Sequence, residues 1–142
     1  VEEVLVTYTG DLTPQETWQL LQDDPQAVLV DCRTEAEWNY VGIPELSQVG
    51  RTVVLVEWQT YPDGARNPRF VADLRRKGVT DETPVAFICR SGHRSIGAAE
   101  AATAAGVQRA YNVLEGFEGG LDAFGHRGVA GWRAEGLPWR QF

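Results

Sequence analysis

The stretch that decides the fold is VAFICRSGHRSIGAAEAATAAG, residues 85–106. With Pro84 before it, an apolar run of strand length ends at Cys89. From Ser95 an alanine-rich segment of helical character runs to a stop at Gly106. Between them lie Arg90, Ser91, Gly92, His93 and Arg94. Cys89 therefore stands where a buried strand opens onto a helix, with two arginines and a histidine within five residues.

That position has chemical meaning. Gly92 permits a left-handed backbone conformation. A short strand-to-helix loop turns several backbone N–H groups inward, and such a nest holds anions. The following helix adds the positive end of its dipole. A cysteine at the rim is expected to be largely thiolate, the nucleophilic form. The same cradle would hold an anionic sulfur adduct, and Arg90, Arg94 and His93 would draw an anionic substrate from solution. The competing reading of Cys89 is a buried filler at a strand end. The flanking arginines, the glycine and the strand–loop–helix context favour the reactive one.

Composition narrows the classes. The chain has 142 residues, 43% hydrophobic and 23% charged, which suits one soluble domain, residues 1–142. Its net charge of −7 disfavours nucleic acid and anionic membrane as partners, and makes the basic cluster at 90–94 stand out. No apolar run approaches the ~18 residues of a membrane span. The N-terminal VEEVLVTYTG carries acids where a secretory leader carries bases, so a cytoplasmic location is expected. Cys32 and Cys89 are too few for a disulfide framework. No second Cys or His pair has metal-ligand spacing, so neither a metal nor a cofactor is expected.

Working outward, strands alternate with helices. Thr13, Pro14 and Glu16 form a capping box with proline at the first helical position. A strand follows at 27–31, then a second capping box, Thr34 with Glu37, opens a short helix. The β-branched run 52–58 reads as a strand. Asn67 as cap, Pro68 and the stop at Gly78 read as a helix. Residues 109–113 form another strand. Strands apolar on both faces, separated by helices, predict an α/β fold: an open, mostly parallel sheet with helices on both faces. Sites in such sheets lie at the carboxyl ends of strands, where both Cys32 and Cys89 fall. The Gly- and Trp-containing segment 116–142 is expected to be an irregular flap that packs Trp132 and Trp139 back on the domain.

Three markers then resemble one family. VLVDCRTEAEWNYVGIP (28–44) resembles the first rhodanese signature, CRSGHRS (89–95) its active-site loop, and GWRAEGLPW (131–139) its C-terminal ending. The resemblance is to single-domain rhodanese-like proteins, the thiosulfate sulfurtransferase type. It implies sulfur transfer through a persulfide on Cys89, loaded by a small anionic donor such as thiosulfate and unloaded by cyanide, a thiol or a protein acceptor. The amides from Ser91 to Ser95 would hold the sulfur. This chain departs from the pattern in VGIP, where many members carry His before Ile-Pro, in a long 57–68 segment, and in residues 119–131, which look inserted.

Asp31, Arg33 and Glu37 are candidate supporting or pocket residues. Arg33 is read as an internal ion pair with Glu37, or as a pocket residue touching substrate. Glu37 and Glu100 are candidate partners for Arg94. Cys32 is read as a filler, with a resolving thiol as the second reading. Trp38 and Trp58 are read as core. Two other functions share the fold: a non-catalytic interaction module, which would ordinarily lack the cysteine, and a phosphatase or arsenate reductase. The last needs five residues between cysteine and arginine, and here there are four.

Overall fold

The computed structural model describes residues 7–142, and most of the acidic N-terminal stretch behind the leader reading lies outside them. The elements run β1 (Gly10–Leu12), α1 (Pro14–Asp23), β2 (Val28–Asp31), α2 (Glu35–Tyr40), β3 (Ile43–Pro44), a 3-10 turn (Ser47–Val49), β4 (Val54–Leu55), α3 (Phe70–Arg76), β5 (Val85–Ile88), α4 (Arg94–Ala104), β6 (Ala110–Val113) and β7 (Trp139–Arg140). Five strands make one parallel sheet in the order β1-β6-β5-β2-β4. The α/β expectation holds, with β5 at the centre.

The connections explain the two helical layers. Right-handed crossovers that progress in opposite directions along a sheet cover opposite faces. The steps β4→β5 and β5→β6 run one way, so α3 and α4 share a face, packed on Val30, Val85 and Phe87. The steps β1→β2 and β2→β4 run the other way. Trp18 and Leu21 of α1 and Trp38 of α2 accordingly pack with Leu29, Ala86 and Ile88. The direction reverses between β2 and β5, which is the switch point where open sheets place their sites. All four β5 residues are fully buried. Alternation sends Val85, Phe87 and Cys89 toward α3 and α4, and Ala86 and Ile88 to the other face. Among the described residues no helix is long and apolar enough to cross a membrane.

Both expected capping boxes are present, Thr13 with Glu16 and Thr34 with Glu37. Two boundaries differ. The helix expected from Asn67 starts at Phe70, because Asn67 turns the chain instead: its Oδ1 accepts from the Arg69 amide at 3.0 Å, and its Nδ2 donates to the Glu57 carbonyl at 2.9 Å. The 52–58 strand is regular only at Val54–Leu55, although Trp58 N still donates to Cys32 O at 3.1 Å. Trp58 is core, edge-on to Phe70 at 5.0 Å.

The C-terminal segment is irregular as expected, except that β7 pairs antiparallel with β3. Trp132 is fully buried and donates from Nε1 to the Pro138 carbonyl at 2.7 Å. Burial of so large a side chain contributes about 1.5–3 kcal/mol or more. Trp139 stays at the surface, 40% exposed, with its ring edge-on to Phe117.

Candidate active site

Cys89 follows β5 directly and is 1% exposed. Gly92 takes φ +97, which lets the chain fold back over the sulfur. The amides of Gly92 and Ser95 both donate to Cys89 Sγ at 3.3 Å. Ser95 lies in the first turn of α4, so the helix dipole points its positive end at the same sulfur. Two N–H donors and a helix terminus thus converge on one sulfur atom, the arrangement of an anion-binding nest.

The third contact of the sulfur is the Ser95 hydroxyl, at 3.1 Å. Its polarity is set from further away. The Asp11 carboxylate only accepts, so Asn112 turns Nδ2 toward it, at 3.1 Å. Asn112 Oδ1 then faces Ser95 and accepts the hydroxyl proton at 2.5 Å. Ser95 is left with a lone pair toward Cys89. That lone pair accepts from a neutral thiol, while the two amides serve the anion.

The loop's two arginines differ. Arg94 places its guanidinium on both Glu37 oxygens, at 2.7 and 2.9 Å. Partial burial alone would raise the Glu37 carboxyl, but the Arg94 bonds and charge outweigh it and hold its pKa below the ordinary value. Burial likewise works against the Arg94 charge, and the Glu37 contacts more than offset it. Arg90 is exposed, and among the described residues no carboxylate lies within ion-pair distance of it. His93 is exposed. A cavity of about 490 Å³ borders the loop through Arg90 and Arg94.

The family model for the Rhodanese-like domain matches residues 13–123. The chain belongs to the rhodanese-like domain family. The crystal structure of Rv0390 from M. tuberculosis is similar, with 61% identity and TM-score 0.88 over 95% of this chain and 99% of that one. A polysulfide-sulfur transferase from Wolinella succinogenes shares the fold at 22% identity, TM-score 0.63, over 93% of this chain and 78% of that one. An uncharacterised protein of Rickettsia conorii, RC0915, is 33% identical over 125 residues, 88% of this chain and 92% of the relative.

In this rhodanese-like chain the other candidate residues fall in two places. Glu37 lines the cavity. Asp31 and Arg33 do not: both are fully buried on the opposite face of the sheet. The expected Arg33–Glu37 pair is not formed. Arg33 instead donates to Asp31 from Nε at 2.9 Å and Nη2 at 2.6 Å, and to the Gly42 carbonyl at 2.7 Å, with its guanidinium 4.2 Å over the Phe117 ring. Asp31 is two residues away on a turning backbone, while Glu37 is drawn off by Arg94. Arg33 is engaged by these partners inside the protein and, unlike Glu37, is not part of the cavity lining. Glu100 accepts from Thr7 Oγ1 at 2.6 Å, not from Arg94.

Cys32 lies beside Cys89 on the same face, continuing the in-register pairing of Asp31 with Ile88. Burial, together with the nearness of Cys89 and Asp31, pushes its thiol well above the ordinary range. It is a neutral donor to the Ile88 carbonyl at 3.4 Å. His126 is exposed in the C-terminal segment. Among the described residues no cluster of His, Cys, Asp or Glu is suited to a metal.

Two features of the site escaped the sequence reading. Asn112 is one; a buried asparagine in an otherwise apolar strand was its only signal. The other is the turn that backs the loop. Phe117 N donates to Cys89 O at 2.8 Å and Glu118 N to Arg90 O at 2.9 Å. Glu115 and Gly116 both take left-handed conformations to make this turn, at φ +65 and +58. A Cβ on Gly116 would lie 2.4 Å from the Cys89 carbonyl oxygen. Gly116→Ala is therefore expected to displace the cysteine loop and cost about 2–4 kcal/mol, at the upper end for point mutants. Chemical denaturation measures the loss; a change below about 0.5 kcal/mol would show that the turn yields without moving the loop.

The Arg94–Glu37 pair makes a second prediction. Both side chains are about one-fifth exposed, so Glu37→Gln should lose about 1 kcal/mol. A depressed carboxyl contributes stability above its unfolded pKa of ~4.3 and loses it as pH falls through the lower folded value. The stability gap between the parent protein and Glu37→Gln should be constant above about pH 5 and close as the pH drops below about 4. A gap independent of pH would exclude an ionic origin.

Proposed function

We propose that this protein is a sulfurtransferase that carries sulfane sulfur on Cys89. The observation behind this reading is the pair of amides, Gly92 and Ser95, bonded to Cys89 Sγ at the head of α4. The thiolate attacks the terminal sulfur of a donor such as thiosulfate. A Cys89 S–S bond forms, the donor's S–S bond breaks, and sulfite leaves with the electron pair. Cyanide or a thiol, free or on a protein, then takes the outer sulfur, and the bonding pair returns to Cys89. The amides stabilise anionic sulfur in the loaded and unloaded states, so neither half-reaction requires the loop to rearrange. A nucleophilic thiol persists in a reducing compartment, which makes the cytoplasm part of this reading.

Phosphatase chemistry is disfavoured by the same loop. Four residues separate Cys89 from Arg94, and the Arg94 guanidinium is engaged by Glu37, not poised over a bound oxyanion. A purely structural module has no use for the amide cradle. Intact mass after exposure to thiosulfate tests the reading directly: one added sulfur, about 32 Da, on Cys89 that cyanide removes. No sulfur from any sulfane donor would overturn it.

A further inference from the structure

The cavity beside the cysteine loop is larger than an inorganic donor needs. A water takes about 30 Å³ of liquid volume, so a five-atom anion fills a small part of about 490 Å³. Pockets of about 300–1,000 Å³ ordinarily take small organic ligands. The wall facing the loop is aromatic and apolar, with Tyr40, Val41, Tyr61 and Pro62. Tyr40 is 84% exposed and Tyr61 70% exposed. Two exposed rings in the lining of a concave site offer apolar faces that a flat or branched organic body would cover.

Tyr61 is held in place. It belongs to the long 57–68 segment, which closes on itself: Thr60 N donates to Ala65 O at 2.9 Å, Gly64 N donates to Thr60 O at 2.8 Å, and Gln59 bridges Arg66. The Arg66 guanidinium lies 4.5 Å over the buried Trp58 ring and ties the loop to the core. The backbone that carries Tyr61 is therefore already ordered, and little of its freedom is lost on contact with a ligand.

Charge narrows the ligand further. Arg94 and Glu37 largely cancel, leaving Arg90 as the cation in the wall without a carboxylate partner among the described residues. A single negative charge is matched. A dianion would also meet Glu37, whose low pKa keeps it ionised at neutral pH. Cys89 itself is 1% exposed, so only a terminal, unsubstituted sulfur atom can reach it.

We propose that the site is built for monoanionic organic sulfane-sulfur compounds with an apolar body, in preference to inorganic thiosulfate, and that Tyr40 and Tyr61 determine this specificity. The inference rests on the sulfurtransferase reading. A thiosulfonate, R–SO2–S⁻, has the required form. The Cys89 thiolate attacks its terminal sulfur, the S–S bond breaks, R–SO2⁻ leaves with the electron pair, and Cys89 holds the persulfide. R rests against the tyrosines that line the cavity while the anionic end faces Arg90.

The test is steady-state transfer to cyanide with p-toluenethiosulfonate and with thiosulfate. Because the two leaving groups differ in reactivity, the readout is how substitution changes the ratio of their kcat/KM values. Tyr61→Ala and Tyr40→Ala should each lower the organic-to-inorganic ratio by about tenfold, the scale of a lost apolar pocket contact. Tyr61→Phe should keep the ratio. Glu37→Gln should lower it as well, by admitting the dianion. p-Toluenesulfinate should inhibit competitively at lower concentration than sulfite, and Tyr61→Ala should erase that difference. The tyrosines are exposed and Glu37→Gln loses only a partly exposed ion pair, so circular dichroism should show all four variants folded. Ratios unchanged in both alanine variants, with Cys89 still loaded by thiosulfate, would overturn the specificity and leave sulfur transfer standing. Failure of both donors to place sulfur on Cys89 would overturn both.

Discussion

Replacing Cys89 with alanine will abolish sulfur loading and lower thiosulfate:cyanide transfer by at least about a thousandfold, as loss of a covalent nucleophile does. The substitution removes one buried sulfur and leaves the backbone that shapes the loop. The amides of Gly92 and Ser95 lose their acceptor but stay supported by Phe117 N on Cys89 O and Glu118 N on Arg90 O. The variant should therefore fold and fail only in chemistry. Cys32→Ala is the informative control. Cys32 is as buried as Cys89 and sits beside it, but its sulfur faces a carbonyl where Cys89 faces two N–H groups. A carbonyl neighbour disfavours a thiolate, and burial already holds Cys32 neutral. Cys32→Ala should take up one sulfur as the parent does. Peptide mapping after thiosulfate exposure decides the matter, and sulfur found on Cys32, or retained by Cys89→Ala, would refute the assignment.

The second large effect concerns stability. Asp31→Ala will leave the Arg33 guanidinium inside the protein without its counter-charge. Asp31 accepts from the Arg33 amide, Nε and Nη2, and both side chains are fully buried. Removing one partner of such a pair costs about 3–5 kcal/mol, mostly because the remaining charge is stranded. For a chain of this size the melting temperature should fall by on the order of 10–20 °C. The Gly42 carbonyl and the Phe117 ring cannot neutralise the cation. Asp31→Ala combined with Arg33→Met removes both charges and should recover a large part of the loss. Thermal unfolding of the three proteins measures this. A double variant no better than Asp31→Ala would show that packing of Arg33, and not its charge, is what matters.

The parts legible in the sequence are those set by short-range chemistry. The strand–loop–helix around Cys89 was readable because an apolar run, a glycine and an alanine-rich segment each bias their own backbone. The two capping boxes were readable for the same reason: Thr13 with Glu16 and Thr34 with Glu37 satisfy each other within one turn. The parallel sheet followed from alternation of elements, and the placing of the site at the carboxyl ends of strands from where both cysteines fell, whereas the strand order and its switch point did not.

Tertiary structure decided what depends on distance through space. Arg33 had Asp31 and Glu37 within reach along the chain, and for Arg94 the candidates were the nearby Glu100 and the distant Glu37. One carboxylate cannot fully serve two cations, so the pairing waits on where α2 meets the loop, 57 residues apart in sequence. The helix expected from Asn67 was shortened because its side chain found the Glu57 carbonyl ten residues back. β1, β3 and β7 are too short to carry a period of their own, and exist only because β6 and each other supply partners. Asn112 and Gly116 act on the cysteine loop from a neighbouring strand and turn, and no local pattern ties either to the loop. The same holds for the cavity: Tyr40 ends α2 and Tyr61 lies in the loop between β4 and α3, and only the fold sets both in one lining with Arg90. The cysteine loop was thus written in local sequence, whereas what it meets was set by packing.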